Sequence, residues 1–233
     1  MKKLISYAIF TLCFIGYATA QNQESLTVEV GNDIQKTLGE HVYRFPAFKS
    51  GTVYFRNGKS TMASLNLNML LEEMQFLDAR KDTLAIVDPS AIDRIEIGLV
   101  TFIYKEAYLE ILEVYDSKVA LAIQRKIKVS DRQKEGGYGQ QTSSSSISSI
   151  STHSANNNLH YNLKVNENLL ISKEQKFFIV DQGGSAKVAN KANILKAFSD
   201  NRKNIAEYMK TKKIDFNKQE DIEDLLMYSS SLQ

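Results

Sequence analysis

Gly51-Thr-Val-Tyr-Phe-Arg-Asn-Gly58 and its sequel, Lys59-Ser-Thr-Met-Ala-Ser-Leu-Asn-Leu-Asn-Met69, decide the fold class. Asn57-Gly58 is the strongest short hairpin signal, because both residues tolerate positive φ. After it, Ala63, Leu65, Leu67 and Met69 alternate with Ser64, Asn66 and Asn68. A period of two places the first set on a core face and the second on a solvent face. A half-buried antiparallel strand reads this way.

Working outward, the same texture recurs. Strands are expected at Glu73–Leu77, Thr83–Val87, Ile92–Ile97, Val100–Tyr104, Ala107–Tyr115 and Val119–Val129. In the last, Val119, Leu121, Ile123, Ile127 and Val129 share a face that only Arg125 interrupts. Asn68–Phe76 also fits a helix face through Leu70, Leu71 and Met74, so that segment stays open between the two. Connectors such as Asp78–Asp82, Asp88-Pro-Ser90 and Asp116-Ser117 are too short for parallel crossovers. The expectation is a β-dominated α+β fold. Its body is an antiparallel meander, a roll or open barrel, over 41–131.

Downstream, 132–158 reads as a Gly/Ser/Asn-rich flexible linker, with Gly136-Gly-Tyr-Gly139 at its start and crowded hydroxyl residues after it. Only Ile147 and Ile150 offer apolar surface there, too little to offset the entropy of ordering. Residues 159–188 then read as a β-hairpin joining the sheet. Leu159, Tyr161, Leu163 and Val165 alternate with polar residues, and Phe177–Val180 runs into Asp181-Gln-Gly-Gly184. Residues 189–229 read as a small helical cap. Its apolar stripes are Ile194/Leu195/Phe198, Ile205/Tyr208/Met209 and Ile222/Leu225/Leu226, and Asn217 with Glu220 suggests a capping box for the last helix.

Upstream, Met1-Lys-Lys3, the apolar run Leu4–Gly16 and Ala18-Thr-Ala20 read as a signal peptide over 1–20, cleaved before Gln21. Residues 21–40 read as an extended polar arm with one short strand candidate, Leu26–Val30. The protein is therefore expected to be exported: periplasmic or secreted, or associated with the outer membrane. Cys13 sits inside the apolar run after Leu12, which excludes a lipoprotein reading. It is also the only cysteine, so the mature chain would hold no disulfide and no thiolate metal site. The formal charge of +2 is removed with Lys2 and Lys3. A neutral chain generates no global field for nucleic acid. No stretch after the signal reaches the roughly 18 apolar residues of a membrane helix.

The residues that could carry chemistry read as structural. His41, His153 and His160 have no metal-ligand spacing, and Ser143–Ser146 is low complexity without a nucleophile elbow. Glu72-Glu73 and the Asp221, Glu223, Asp224 cluster read as surface acids. Neither glycine cluster has the strand–loop–helix setting of a phosphate cradle. No catalytic residue, cofactor or metal is expected. Tyr54, Tyr104, Tyr108 and Tyr115 fall on strands, either as half-buried structural residues or as anchors of an interface with an envelope protein partner.

Three sets of residues carry a resemblance: Gly51–Gly58 with Leu65–Phe76, the Gly136-Gly-Tyr-Gly139 stretch, and the tail from Phe177 to the acidic last helix. They resemble a family of uncharacterised secreted proteins of Bacteroidetes-type bacteria. The resemblance implies a secreted or periplasmic envelope protein and carries no activity. Asp82-Thr-Leu84 also matches a tripeptide that such bacteria can O-glycosylate, although its first reading is an ordinary strand start. The functional expectation is a non-enzymatic envelope protein acting as a binding or structural module. A β-roll carrier of a small apolar ligand or peptide is the alternative, and a hydrolase with an unrecognised site a second one.

Overall fold

The structure is a computed structural model that describes residues 25–28, 41–115, 119–136, 140–143 and 168–232. The expected signal peptide, His153, His160 and the 159–165 strand lie outside the described residues, as do most of the arm and of the Ser-rich stretch.

The Asn57-Gly58 hairpin forms. Strand β2 (Lys49–Phe55) turns into β3 (Ser60–Asn68), with Gly58 at φ +81° and Asn57 Oδ1 accepting the Lys59 N–H. Asn57 keeps an ordinary negative φ. The turn is therefore of the kind in which a single left-handed glycine closes the loop. Gly51, one strand position in, is required for a different reason. A Cβ there would stand 2.6 Å from the Glu96 carbonyl oxygen of the neighbouring strand.

Strands β4 (Glu73–Leu77) and β5 (Thr83–Ala85) continue this meander. A second meander runs through β6 (Ile92–Ile97), β7 (Val100–Lys105), β8 (Ala107–Tyr115) and β9 (Val119–Gly136). Antiparallel pairing of β2 with β6 joins the two. The remaining strands are β1 (Ser25–Val28), β10 (Gln140–Ser143), β11 (Asn168–Asp181) and β12 (Ala186–Val188). The spatial order is β1-β11-β9-β8-β7-β6-β2-β3-β4-β5, with β10 on β9 and β12 on β11. Among the described residues every pairing is antiparallel, and the sheet stays open. Asn68–Phe76 resolves as a turn followed by a strand, because the Asn68 side chain accepts the N–H groups of Leu70 and Leu71 and reverses the chain.

Several expected boundaries differ. β9 continues past Asp131 to Gly136, and β10 folds back on it from within the stretch read as linker. A ladder of main-chain hydrogen bonds does not need apolar side chains, so polar composition alone does not forbid it. β1 lies inside the stretch read as an arm and pairs with β11. β11 pairs with β9 along its whole length.

Two cores occupy one face of the sheet. The curled part, β2 to β8, encloses Val53, Leu65, Leu67, Met74, Ile95, Phe102 and Tyr108, with Ile127 and Ile171 arriving from β9 and β11. The flatter part, β8-β9-β11, presents Leu121, Ile123, Phe177 and Ile179 to three helices. These are α1 (Lys191–Ala197), α2 (Arg202–Lys212) and α3 (Gln219–Ser231). Of the expected stripes, Ile194, Leu195, Phe198, Ile205, Met209, Ile222, Leu225 and Leu226 are buried, while Tyr208 is half-buried and stacks on Tyr228. At about 1.5–3 kcal/mol per fully buried large aliphatic side chain, packing and not helix propensity holds this short-helix cap.

The caps fall elsewhere than expected. Asn190 caps α1 by accepting the Asn193 N–H (2.9 Å). Asn217 does not cap α3, which starts later, after a turn in which Lys218 N–H donates to the Asp215 carbonyl. Asp221 instead reaches back to accept the Asp215 N–H (2.8 Å).

Candidate functional site

The open sheet leaves a seam. β9 pairs with β8 only as far as Ile123, opposite Glu110. Beyond it β9 approaches the end of β3, where Ile127 N–H donates to the Met69 carbonyl (2.9 Å). The chain before β2 lies along β3 at this point. Met69 N–H donates to the Val42 carbonyl (2.7 Å), and Arg44 N–H to the Leu67 carbonyl (2.9 Å). Arg44, Arg125 and Glu110 therefore converge where the two cores meet.

Glu110 is 5% exposed. Its carboxylate accepts Arg44 Nε (2.8 Å) and Nη2 (3.0 Å) in a two-pronged fork, and Arg125 Nε (3.1 Å). Burial alone would raise its pKa. The hydrogen bond and charge of Arg44, with the charge of Arg125, outweigh burial and hold the carboxyl below the usual carboxylate range. The same hydrogen bond raises the Arg44 guanidinium against its own burial. Arg125 is the charge that interrupts the apolar face of β9. It sits between Ile123, which faces the helices, and Ile127, which faces the roll.

Next to this triad is an open cavity of about 280 Å³, lined by His41, Tyr43, Arg44, Met69, Arg125, Lys126, Lys173, Glu174 and Gln175. Glu174 accepts from Lys126 (3.5 Å) and from Lys128 (3.3 Å). Here too burial would raise the carboxyl, and the hydrogen bond and charge of Lys128, then of Lys126, bring it below its ordinary range. These are exposed ion pairs of small energetic weight. Tyr43 donates to Gln75 Oε1 (2.9 Å), and Gln75 Nε2 to Glu73 (3.2 Å), a polar row that fixes the tyrosine wall. Burial is the main reason the Tyr43 hydroxyl is harder to ionise than usual.

The four tyrosines singled out from the sequence occupy three settings. Tyr54 is half-buried on β2 beneath the Arg94 guanidinium, 3.9 Å from its ring centroid. Tyr104 is half-buried and meets Tyr108 edge to face at 5.1 Å. Tyr108 lies in the roll with its hydroxyl unpaired, and burial pushes that hydroxyl well above its ordinary pKa. Tyr115 is buried against the helices, and burial, then the charges of Glu223, Glu113 and Asp224, raise its hydroxyl to about 12. Tyr108 and Tyr115 thus have little surface to offer a partner.

His41 is exposed on the cavity rim. The paired acids have structural partners: Glu72 accepts from Gln124 (2.8 Å), Glu73 from Gln75, and Glu223 from Gln219 (2.7 Å). Among the described residues no group of three or more His, Cys, Asp or Glu could hold a metal ion, and no helix is long and apolar enough to cross a membrane.

Sequence reasoning missed Arg44, Glu110 and Lys173. A signal was present for two members of the triad. Glu110 and Arg125 each stand at a core-parity position of an apolar strand, and the strands are neighbours. Arg44 carries no such mark. In comparisons with known proteins, the chain matches no protein-family model, no curated protein and no solved structure.

Proposed function

We propose that this chain is a non-enzymatic binding module of the bacterial envelope, exported by residues 1–20 and maturing at Gln21, and that it recognises its partner or ligand through the cationic seam. One observation carries the reading. Two guanidiniums are fixed by a buried carboxylate beside an open concavity, so their orientation needs no ordering on binding. The packed interior supports a module over a carrier of apolar ligands. Phe102, Leu65, Met74, Ile92 and Ile95 fill the roll where such a ligand would lie.

The test is complementation of a deletion strain. The Arg44→Lys/Arg125→Lys variant keeps the charges beside Glu110 and removes the forks; folded and at normal level, it should fail to restore the phenotype. His41→Gln, His153→Gln and His160→Gln should restore it, as should Ser143 to Ser146 replaced by Ala. Full complementation by the seam variant would reject the site. Loss in a folded histidine variant would favour the hydrolase alternative. Intact mass of the exported protein should start at Gln21, and a form retaining residues 1–20 would reject the export reading.

A further inference from the structure

Strand register sorts the groups around the seam cavity by face. Ile123 faces the helices and Ile127 the roll, so Arg125 between them shares the core side of β9. Glu110 stands opposite Ile123 on that side, and Gln175 opposite Arg125. Lys126 stands opposite Glu174 on the other side, where Lys126 and Lys128 both pair with that carboxylate. Lys173, opposite Ile127, is engaged with a partner of its own. The groups shared at the centre of the seam are therefore two guanidiniums and one carboxylate, and together they carry a single positive charge.

Donor capacity narrows the ligand further. A guanidinium carries five N–H groups. Arg44 meets Glu110 through Nε and Nη2, whereas Arg125 meets it through Nε alone. The terminal edge of Arg125, Nη1 with Nη2, has no acceptor among the described residues, and Arg125 lines the cavity. Two N–H bonds on such an edge run parallel in one plane and match two coplanar oxygens. Glu110 holds Nε, so the plane of the fork is set before a ligand arrives. Two other wall residues are largely apolar. The Tyr43 ring is fixed by its hydroxyl bond to Gln75 and by Phe48 at 5.3 Å, and Met69 lies beside it on the same wall.

Resting on the seam as the recognition site, we propose that it binds a monocarboxylate on an apolar stem, with the terminal edge of Arg125 holding both oxygens and Tyr43 and Met69 packing the stem. A carboxylate brings one charge and two oxygens in a plane, which answers both the charge and the fork. A phosphate monoester brings nearly two charges and three oxygens near neutral pH. A sulfonate has one charge, but its oxygens are tetrahedrally arranged and are weaker acceptors, because its parent acid is far stronger. A primary amide has the carboxylate's shape, lacks its charge and presents donors where one oxygen should accept. The carboxylate can belong to a small acid or to the C-terminus of a peptide, and the cavity, being open, admits either.

The experiment is calorimetric titration of the purified full chain at pH 7.5 with phenylacetate, phenylacetamide, phenylmethanesulfonate and acetate. It is paired with the peptide acetyl-Ala-Ala-Phe, its C-terminus free or amidated. Phenylacetate should bind saturably and about tenfold more tightly than each of the other three small probes. Arg125→Lys keeps the charge beside Glu110 and removes the terminal edge, so it should weaken phenylacetate about tenfold while circular dichroism stays native. Lys128→Gln, on the opposite side of β9, should change the affinity less than about twofold. A free-ended peptide that binds more tightly than phenylacetate, and loses this on amidation, assigns the peptide source. A peptide that binds no more tightly assigns the small acid. Equal affinity for the acid and its amide or sulfonate, wild-type affinity in folded Arg125→Lys, or no saturable binding of any carboxylate probe overturns the proposal. Failed complementation by Arg44→Lys/Arg125→Lys, with a wild type that binds no carboxylate, would sink this inference and leave the module reading standing. Full complementation by that variant would sink that reading.

Discussion

Replacing Glu110 by Gln tests the centre of the molecule. The substitution keeps size and one carbonyl oxygen, and removes the charge that two guanidiniums share. Three charge-assisted contacts of 2.8, 3.0 and 3.1 Å are affected. Each such bond is worth about 1.5–3 kcal/mol in a protected site. The Arg44 and Arg125 side chains remain 29% and 21% exposed, so water screens part of this and rehydrates part of what is lost. The expected cost at pH 7 is about 2–3 kcal/mol, short of the roughly 3–5 of a fully buried broken pair. For a chain of this size that is a fall of roughly 5–10 °C in Tm. The sign with pH follows from the depressed carboxyl of Glu110. A carboxyl lowered on folding stabilises fully above its unfolded pKa, about 4.3 for glutamate. That stability is lost as pH falls through the folded pKa. The deficit of Glu110→Gln should therefore be complete at pH 7 and shrink on acidification below about pH 4. Thermal unfolding followed by circular dichroism across that range measures both. An unchanged or raised Tm at pH 7 would refute the reasoning, and so would a deficit that persists undiminished in acid.

Two further substitutions probe the two cores. Leu225→Asp places a charge at a fully buried site among Ile222, Leu226 and the sheet, costing several kcal/mol. Urea unfolding should show lost cooperativity or an undocked helical cap, and wild-type stability would contradict the packing. Tyr108→Phe removes a buried hydroxyl that has no hydrogen-bond partner, so it should be neutral or stabilise by about 1 kcal/mol. A loss larger than about 1 kcal/mol in the same urea assay would mean that the hydroxyl is satisfied.

The sheet was legible wherever a strand has one wet face. Leu65 and Leu67 announce their side by alternation, and both are buried. Asn66 and Asn68, read as solvent-facing, are buried as well, at 1% and 3% exposure. The reason is tertiary. The Asn66 side chain pairs with both the N–H and the carbonyl of Phe45, and Asn68 caps the turn that follows it. A buried amide that satisfies main-chain groups has the same letter as one in water. The helices were legible for the opposite reason. They bury a stripe against a single sheet face, so their period of 3.6 survives unmodified. Their caps were less so, because Asp221 reaching back to Asp215 mimics no standard motif.

The seam shows why a site can be half visible in a sequence. Arg125 is the charge that interrupts the apolar face of β9 between Val119 and Val129, and Glu110 has the same parity on β8, between Tyr108 and the apolar end of that strand. A charge on a core face is either an error of parity or half of a pair. Two of opposite sign on neighbouring strands favour the pair. Their meeting depends on β8 and β9 parting beyond the Glu110–Ile123 pair, although β8 itself continues to Ala107, since Arg125 then has no β8 partner and can turn toward Glu110. Arg44 could not be placed in this way. It precedes β2 and reaches the seam through the hydrogen bonds of Val42 and Arg44 with Met69 and Leu67, a non-local contact without periodicity. The ion triad thus occupies the line where two hydrophobic cores adjoin on one sheet face. At that line the strand edges are already parting, and charged heads can reach solvent while their stems stay packed. An apolar triad would fuse the cores and fill the concavity. The charges keep that line polar and open to solvent, and this is the geometry on which the proposed recognition role rests.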